Sequence, residues 1–128
     1  MEYTRGIVLV VDDAEDSVAA LELAFERNEK VTVRHAASAE RALVLLDGGQ
    51  PVVALITDVN LPSMDGLELV SRIRSGGAYA DLPIIVVSAD TDPRMPARAL
   101  EAGADAFFPK PYSPAAVRKK VEELIHEC

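Results

Sequence analysis

Short apolar runs alternate with amphipathic stretches along the chain, and this alternation constrains the fold more than any other feature. The runs span residues 7–11, 31–36, 52–57, 84–87 and 106–108. The stretches between them place apolar residues at helical spacing, as Val18, Leu21 and Phe25 do. Strands that alternate with helices build βαβ units and a parallel sheet. The sequence therefore predicts an α/β fold of five strands and five helices in strict alternation.

The predicted strands differ in how deeply they should be buried. Residues 7–11 are apolar on both faces, which is typical of a central strand in a parallel sheet. Residues 31–36 alternate apolar and polar side chains, so we expect this strand at an edge of the sheet. The first helix is expected over residues 17–28, and Ser113-Pro114 begins the last helix with a cap and a proline.

The segment between Pro93 and Ala102 is the irregular one. If Asp92 capped this helix, Pro96 would lie at its fourth position, where the missing N–H removes the first intrahelical hydrogen bond. We therefore expect either a helix that begins later, near Pro96, or a helix with a loose first turn.

Composition excludes several classes of protein. A length of 128 residues fits one domain over residues 1–128, without an output domain. The net charge of −8 argues against direct nucleic-acid binding. Cys128 is the only cysteine, so neither a disulfide nor a thiolate metal site is expected. Because the chain has neither an apolar run of the required ~20 residues nor a signal peptide, we expect a cytoplasmic protein without a membrane partner.

Acidic residues follow two of the predicted strands, and a lysine follows the last. Asp12 and Asp13 close the first apolar run, Asp58 closes the third, and Lys110 comes after the fifth. Carboxyl ends of parallel strands share one edge of the sheet, so these side chains can meet there. Hard oxygen ligands without histidine or thiolate indicate Mg²⁺, or Mn²⁺, as the cation of such a site.

This acid pocket suits phosphoryl transfer. Asp58 is the candidate nucleophile, which would form an acyl phosphate. The cation and Lys110 would neutralise charge on the transferring phosphoryl oxygens. Ser88 ends the fourth strand at the same edge, where its hydroxyl can bond a phosphoryl oxygen, and the small Ala89 beside it leaves access to the pocket.

On these residues the chain resembles a response-regulator receiver domain of two-component signalling, over essentially its whole length. The matching elements are Asp12-Asp13, Asp58, Pro62, Asp65-Gly66, Ser88-Ala89, the segment 101–106 and Phe107-Phe108-Pro109-Lys110-Pro111. The resemblance implies the flavodoxin-like doubly wound sheet of order 2-1-3-4-5. It also implies a cis peptide bond between Lys110 and Pro111.

By the same resemblance, Asp58 accepts a phosphoryl group from a histidine kinase or a histidine phosphotransfer protein. Asp13 and Asp58 then bind magnesium directly, Asp12 acts through water, and the backbone carbonyl of Asn60 completes the protein ligands. Such a protein is a signalling regulator rather than an enzyme, because it catalyses only its own phosphotransfer and autodephosphorylation.

The resemblance further implies a switch made by Ser88 and Phe107, in which the hydroxyl moves to the phosphoryl group and the ring rotates inward. The fourth helix, fifth strand and fifth helix would form the face that binds a downstream protein, and the family also allows homodimers. Phe107 lacks the hydroxyl of a tyrosine, so an output state that needs a hydrogen bond at this ring is unavailable. Asn60 and Asp90 occupy positions that tune the phosphate lifetime in the family.

Two other classes of protein have a comparable acidic pocket. An aspartate-nucleophile phosphatase of the haloacid-dehalogenase type needs an Asp-x-Asp motif, but Ala14 stands two positions after Asp12, so its general acid is missing. A phosphorylation-independent interaction module would keep the pocket only as a relic, and the intact acid set with Lys110 argues against it. Whether the chain acts alone or is a receiver cut from a longer protein stays open.

Overall fold

A computed structural model describes residues 5–126 of the chain, so Cys128 and residues 1–4 lie outside it. The described part contains five strands and five helices in alternation, as predicted. The strands are β1 (Gly6–Val11), β2 (Val31–Ala36), β3 (Val52–Asp58), β4 (Ile84–Ser88) and β5 (Ala106–Pro109). The helices are α1 (Glu15–Phe25), α2 (Ala39–Asp47), α3 (Gly66–Arg74), α4 (Met95–Ala102) and α5 (Pro114–His126).

The strands form one parallel sheet in the order β2-β1-β3-β4-β5, which confirms the flavodoxin-like doubly wound fold. The apolar runs of β1, β3 and β4 are almost wholly buried, as their composition predicts. β2 lies at an edge, where Arg34 and His35 face solvent, and β5 forms the other edge. Within residues 5–126, no helix has the length and apolar character that a membrane span requires.

Alternate side chains of β1 enter two separate cores, one on each face of the sheet. Ile7, Leu9 and Val11 pack in the core under α2, α3 and α4. Val8 and Val10 pack in the core under α1 and α5. Full burial of such an aliphatic side chain contributes about 1.5–3 kcal/mol, so both helix layers are firmly held. The helices cover the faces of the sheet and leave the carboxyl edge of the strands to the loops.

Side-chain caps fix the start of three helices. Oγ of Ser38 accepts a hydrogen bond from the backbone N–H of Arg41 at 3.1 Å. Oδ1 of Asp65 accepts one from Glu68 at 2.8 Å, which begins α3 directly after the Asp58 loop. The cap predicted for the last helix is present, since Oγ of Ser113 accepts a hydrogen bond at 3.2 Å from the N–H three residues later. Each such cap contributes about 1 kcal/mol.

The fourth helix begins late, as one of the two sequence-based alternatives predicts. α4 starts at Met95, and Pro96 occupies its first turn, where the absent N–H has no intrahelical partner to lose. Asp92 does not cap this helix. Its carboxylate accepts a hydrogen bond from the backbone N–H of Arg94 at 2.9 Å in the turn before it.

The first helix is shifted from its predicted bounds of 17–28 to Glu15–Phe25. At its start, Oδ1 of Asp12 accepts a hydrogen bond from the N–H of Ala14 at 2.8 Å, which turns the chain early. At its end, Asn28 leaves the helix and donates from Nδ2 to Oε2 of Glu122 on α5, at 2.8 Å. These contacts, one local and one distant, lie just outside the two ends of the helix.

Candidate functional site

The carboxyl edge of the sheet brings together the side chains that the sequence places at strand ends. Asp58 is the last residue of β3 and pairs in register with Val87 of β4. Ser88 ends β4 and pairs with Pro109, which directly precedes Lys110. Asp12 follows β1, the neighbour of β3 on its other side. Parallel pairing therefore assembles the pocket from four strand ends.

Lys110 bridges the two buried carboxylates of this pocket. Its Nζ lies 2.6 Å from Oδ2 of Asp58 and 3.2 Å from Oδ2 of Asp12. Asp12 and Asp58 are only 2% and 7% exposed, so each carboxylate would be costly to bury without a cation. Burial lowers the pKa of Lys110, but the hydrogen bond and charge of Asp58, with those of Asp12, outweigh it and raise the pKa. The ammonium therefore stays protonated at neutral pH.

Loop amides fix the other oxygen of each carboxylate. Oδ1 of Asp12 accepts a hydrogen bond from the N–H of Ala14 at 2.8 Å, and Oδ1 of Asp58 accepts one from the N–H of Asn60 at 3.1 Å. Both contacts close short turns at the point where a strand ends. The carboxylates of Asp12 and Asp58 are thus each held by a backbone N–H two residues later in the same loop.

Asp13 differs from its neighbour Asp12, because its side chain is exposed. Among the described residues, no group of three or more His, Cys, Asp or Glu side chains is arranged to hold a metal ion. The Lys110 ammonium lies against both buried carboxylates, and so provides the positive charge between them. The structure therefore unites Asp12, Asp58 and Lys110, and leaves Asp13 outside that cluster.

The predicted switch residues lie on adjacent strands. Ser88 is fully buried, and its Oγ accepts a hydrogen bond from the N–H of Asp90 at 3.0 Å. Phe107 pairs in register with Val86 of β4, and its ring is half-buried against the core under α2, α3 and α4. The Lys110–Pro111 peptide bond is cis, as the family resemblance predicts.

Two contacts at the site were not predicted. Nε2 of His35, on the edge strand β2, lies 2.6 Å from the backbone carbonyl oxygen of Asp12. Gly66 approaches β3 so closely that a Cβ on it would lie 2.0 Å from the carbonyl oxygen of Asp58. An Asp-Gly pair before an amphipathic helix hints at the second contact, whereas no local pattern signals the first.

A groove of about 470 Å³ opens beside the pocket, between α1 and the loop after β5. Its lining includes Asp16 and Ser17 of α1, Ala89 directly after β4, and Lys110 and Tyr112 after β5. The small side chains of Ser17 and Ala89 leave the Lys110 side of the site open to an incoming group. The groove therefore reaches Lys110, whereas Asp12 and Asp58 are not among its lining residues.

Comparisons with known proteins agree on one family. The family model described as the response regulator receiver domain matches residues 8–122. A chemotaxis protein CheY homolog of Campylobacter jejuni is 34% identical over 118 residues, which cover 92% of this chain and 91% of the relative. A crystal structure from Chloroflexus aurantiacus is 34% identical with a TM-score of 0.85, and covers 96% of this chain and 99% of its own. The chemotaxis response regulator CheY4 of Vibrio cholerae is 26% identical with a TM-score of 0.82, and the match covers 94% of this chain and 99% of that protein's chain.

The chain belongs to the response regulator receiver domain family. It is a phosphorelay receiver of two-component signalling, and the prediction of this function from the sequence is confirmed. Phosphorylation and Mg²⁺ are typical of the family.

Proposed function

We propose that Asp58 is the residue that accepts the phosphoryl group, and that the donor is a phosphohistidine on a histidine kinase or a histidine phosphotransfer protein. The observation that carries this proposal is the 2.6 Å contact between Lys110 Nζ and Asp58 Oδ2 at a nearly buried strand end. A carboxylate held beside a lysine that stays protonated is suited to charge-balanced phosphoryl transfer.

In the proposed step, a carboxylate oxygen of Asp58 attacks phosphorus and forms the P–O bond of an acyl phosphate. The P–N bond to the donor imidazole breaks, and its electron pair remains on the nitrogen, which takes up a proton. Lys110 stabilises the negative charge on the phosphoryl oxygens. Ser88 is the second residue that would contact these phosphoryl oxygens. It is the last residue of β4, and its hydroxyl lies at the strand end next to Asp58.

The donor set at this edge fits a hard divalent cation. Asp12, Asp58 and Asp13 carry three negative charges against one on Lys110, so a divalent cation brings the site to neutrality. Asp13, Asp58 and the Asn60 carbonyl would hold Mg²⁺ or Mn²⁺ directly, and Asp12 would act through water. When bound, the cation neutralises charge on the transferring phosphoryl group.

The output is a change of partner binding, and this part of the proposal follows the family. Ser88 and Phe107 form the switch, and a downstream protein or a second copy binds the face made by α4, β5 and α5. Leu100 on α4 is 54% exposed and supplies apolar surface there. We further propose one receiver domain over residues 1–128, acting in the cytoplasm, with no catalysis beyond its own phosphotransfer and autodephosphorylation.

Incubation with acetyl phosphate and magnesium, followed by intact mass measurement, tests the acceptor. The wild-type protein should gain one phosphoryl group, and Asp58→Asn should gain none. Asp16→Asn is the matched control and should still be phosphorylated, because Asp16 lines the adjacent groove, whereas the ion pairs of Lys110 among the described residues are with Asp12 and Asp58. Phosphorylation of Asp58→Asn at the wild-type rate would reject the assignment.

Within the receiver family, the second candidate is a member that binds its partner without phosphorylation at Asp58, and the exposure of Asp13 outside the buried cluster is the observation that favours it. Beryllofluoride with magnesium separates the two. If Asp58 accepts the phosphoryl group, this mimic should bind there and change the NMR chemical shifts of the Ser88 and Phe107 amides. If the pocket no longer binds a phosphoryl group, the NMR spectrum should stay unchanged.

A further inference from the structure

His35 lies on the edge strand β2, which provides no other side chain to the acid pocket. Its Nε2 is 2.6 Å from the backbone carbonyl oxygen of Asp12. A carbonyl oxygen can only accept a hydrogen bond, so Nε2 must carry the hydrogen and donate it. The two residues are 23 positions apart in the sequence, and their contact joins β2 to the loop after β1, which carries Asp12 and Asp13.

The acceptor of this hydrogen bond is the peptide group between Asp12 and Asp13. Because a peptide unit is planar, fixing the Asp12 carbonyl also fixes the direction in which Asp13 leaves the strand. Asp12 is otherwise well held: its N–H donates to Ala36 at 3.1 Å, and its carboxylate contacts Ala14 and Lys110. In the described part of the chain, the Asp13 side chain has no hydrogen bond or ion pair of its own, so its placement depends on this peptide.

We infer that His35 is a positioning residue, which orients the Asp12–Asp13 peptide so that Asp13 can join Asp58 around a divalent cation. This inference rests on the proposed function, because that function makes Asp13 a direct ligand. The ring of His35 acts only through the backbone of Asp12 and contacts neither the cation nor the phosphoryl group. Its removal should weaken cation binding while leaving the pocket residues themselves intact.

The test compares His35→Leu, which removes the donor, with His35→Gln, whose side-chain amide restores an N–H at a similar reach. Arg34→Leu is the control, because Arg34 is the exposed neighbour on the same strand. Mg²⁺ is titrated into each protein, and its dissociation constant is read from the amide shifts of residues 12–14. Thermal midpoints check that each variant folds, and His35→Phe replaces His35→Leu if the latter does not.

His35→Leu should bind Mg²⁺ about fivefold more weakly, which is the effect of one net hydrogen bond and lies below the usual range for buried groups that orient ligands. His35→Gln should recover affinity to within about twofold. Wild-type affinity in His35→Leu, an equal loss in His35→Gln or an equal loss in Arg34→Leu would overturn the inference. Mg²⁺ affinity is measured without a phosphodonor, so failure of Asp58 phosphorylation would be seen separately.

Discussion

Nζ of Lys110 and Oδ2 of Asp58 lie 2.6 Å apart, although 52 residues separate them in the sequence. The contact exists because β3, β4 and β5 are neighbours in one parallel sheet and end at the same edge. It also makes the pocket an electrostatic balance, in which one ammonium serves two buried carboxylates. Removing the Lys110 ammonium should therefore affect stability as well as phosphorylation.

Lys110→Met leaves Asp12 and Asp58 buried and facing each other without a cation. In metal-free buffer we expect the free energy of unfolding to fall by about 1–3 kcal/mol, the range for losing charge-assisted hydrogen bonds. Urea denaturation measures this loss. Added Mg²⁺ should stabilise the variant more than the wild type, because it neutralises the same charges.

Lys119→Met is the control for this substitution, since Lys119 is exposed on α5 and has no ion pair within the described residues. Its free energy of unfolding should stay within about 0.5 kcal/mol of the wild type. Equal stability of Lys110→Met and Lys119→Met would contradict the claim that Lys110 balances the buried acids.

Gly66→Ala should distort the loop that carries Asp58. The added Cβ would lie 2.0 Å from the carbonyl oxygen of Asp58, a backbone atom that cannot move aside alone. We expect a loss of about 3 kcal/mol in the free energy of unfolding, and slower phosphorylation by acetyl phosphate. Gly48→Ala is the matched control, because its Cβ would meet its nearest atom at 3.4 Å, and it should change stability by no more than about 0.5 kcal/mol.

Local patterns predicted the helices and strands well, and the family resemblance predicted the strand order. The apolar runs of β1, β3 and β4 are long enough to be recognised without tertiary information. The convergence of Asp12, Asp58 and Lys110 also followed, because it depends only on parallel strands ending at one edge.

What the sequence could not predict depends on contacts between distant segments. α1 ends at Phe25, before its predicted limit, and beyond it Asn28 bonds Glu122, which is 94 residues away. His35 is exposed on β2, and nothing in its sequence neighbourhood indicates that its Nε2 meets the Asp12 carbonyl. Asp13 shares its sequence context with Asp12, yet one is exposed and the other buried, because successive residues after a strand point in different directions.

Arg74→Ala should remove a junction between three segments of the chain. The guanidinium donates to the carbonyls of Leu82 at 2.6 Å, Gly103 at 2.9 Å and Ala80 at 3.0 Å, and to Oδ2 of Asp105 at 3.1 Å. Loss of the guanidinium leaves the three carbonyls without this donor, while Asp105 keeps its hydrogen bond from the N–H of Ile84, and we expect a decrease of about 2–4 kcal/mol in the free energy of unfolding. Arg74→Lys should lose most of it too, because one ammonium cannot reproduce the planar fork.

Arg72→Ala provides the contrast, because within residues 5–126 the side chain of Arg72 has an ion pair only with Glu68, one helical turn away, and both side chains are more than half exposed. Such a pair contributes about 0.3–0.5 kcal/mol. Urea denaturation of Arg74→Ala, Arg74→Lys and Arg72→Ala measures how much unfolding free energy each variant loses. Similar stability of Arg74→Ala and Arg72→Ala would refute the role assigned to the junction.

Tyr112 should ionise later than an ordinary tyrosine. Burial of its phenol raises the pKa, the charge of Lys110 lowers it, and the charges of Asp12 and Asp58 raise it, with a net increase above the usual value of 10.0. A folded-state pKa above that of the unfolded chain means that stability is complete below about pH 10 and declines as pH rises through the folded pKa. Ultraviolet absorbance of tyrosinate follows this ionisation.

Tyr112→Phe removes the ionising group while keeping the ring, so it isolates the effect. The difference between the wild-type and Tyr112→Phe absorbance titrations should have its midpoint above about pH 10. Between about pH 9 and 11 the variant should also lose less unfolding free energy than the wild type, because only the wild-type unfolded chain gains a phenolate at this position. Tyr79→Phe is the control for loss of a phenol elsewhere, because it removes the hydroxyl that donates to Gln50. Its absorbance titration should still show the late ionisation of Tyr112. A difference midpoint at or below the ordinary tyrosine pKa would mean that the ring of Tyr112 is more hydrated than its packing against the α1–α5 core implies.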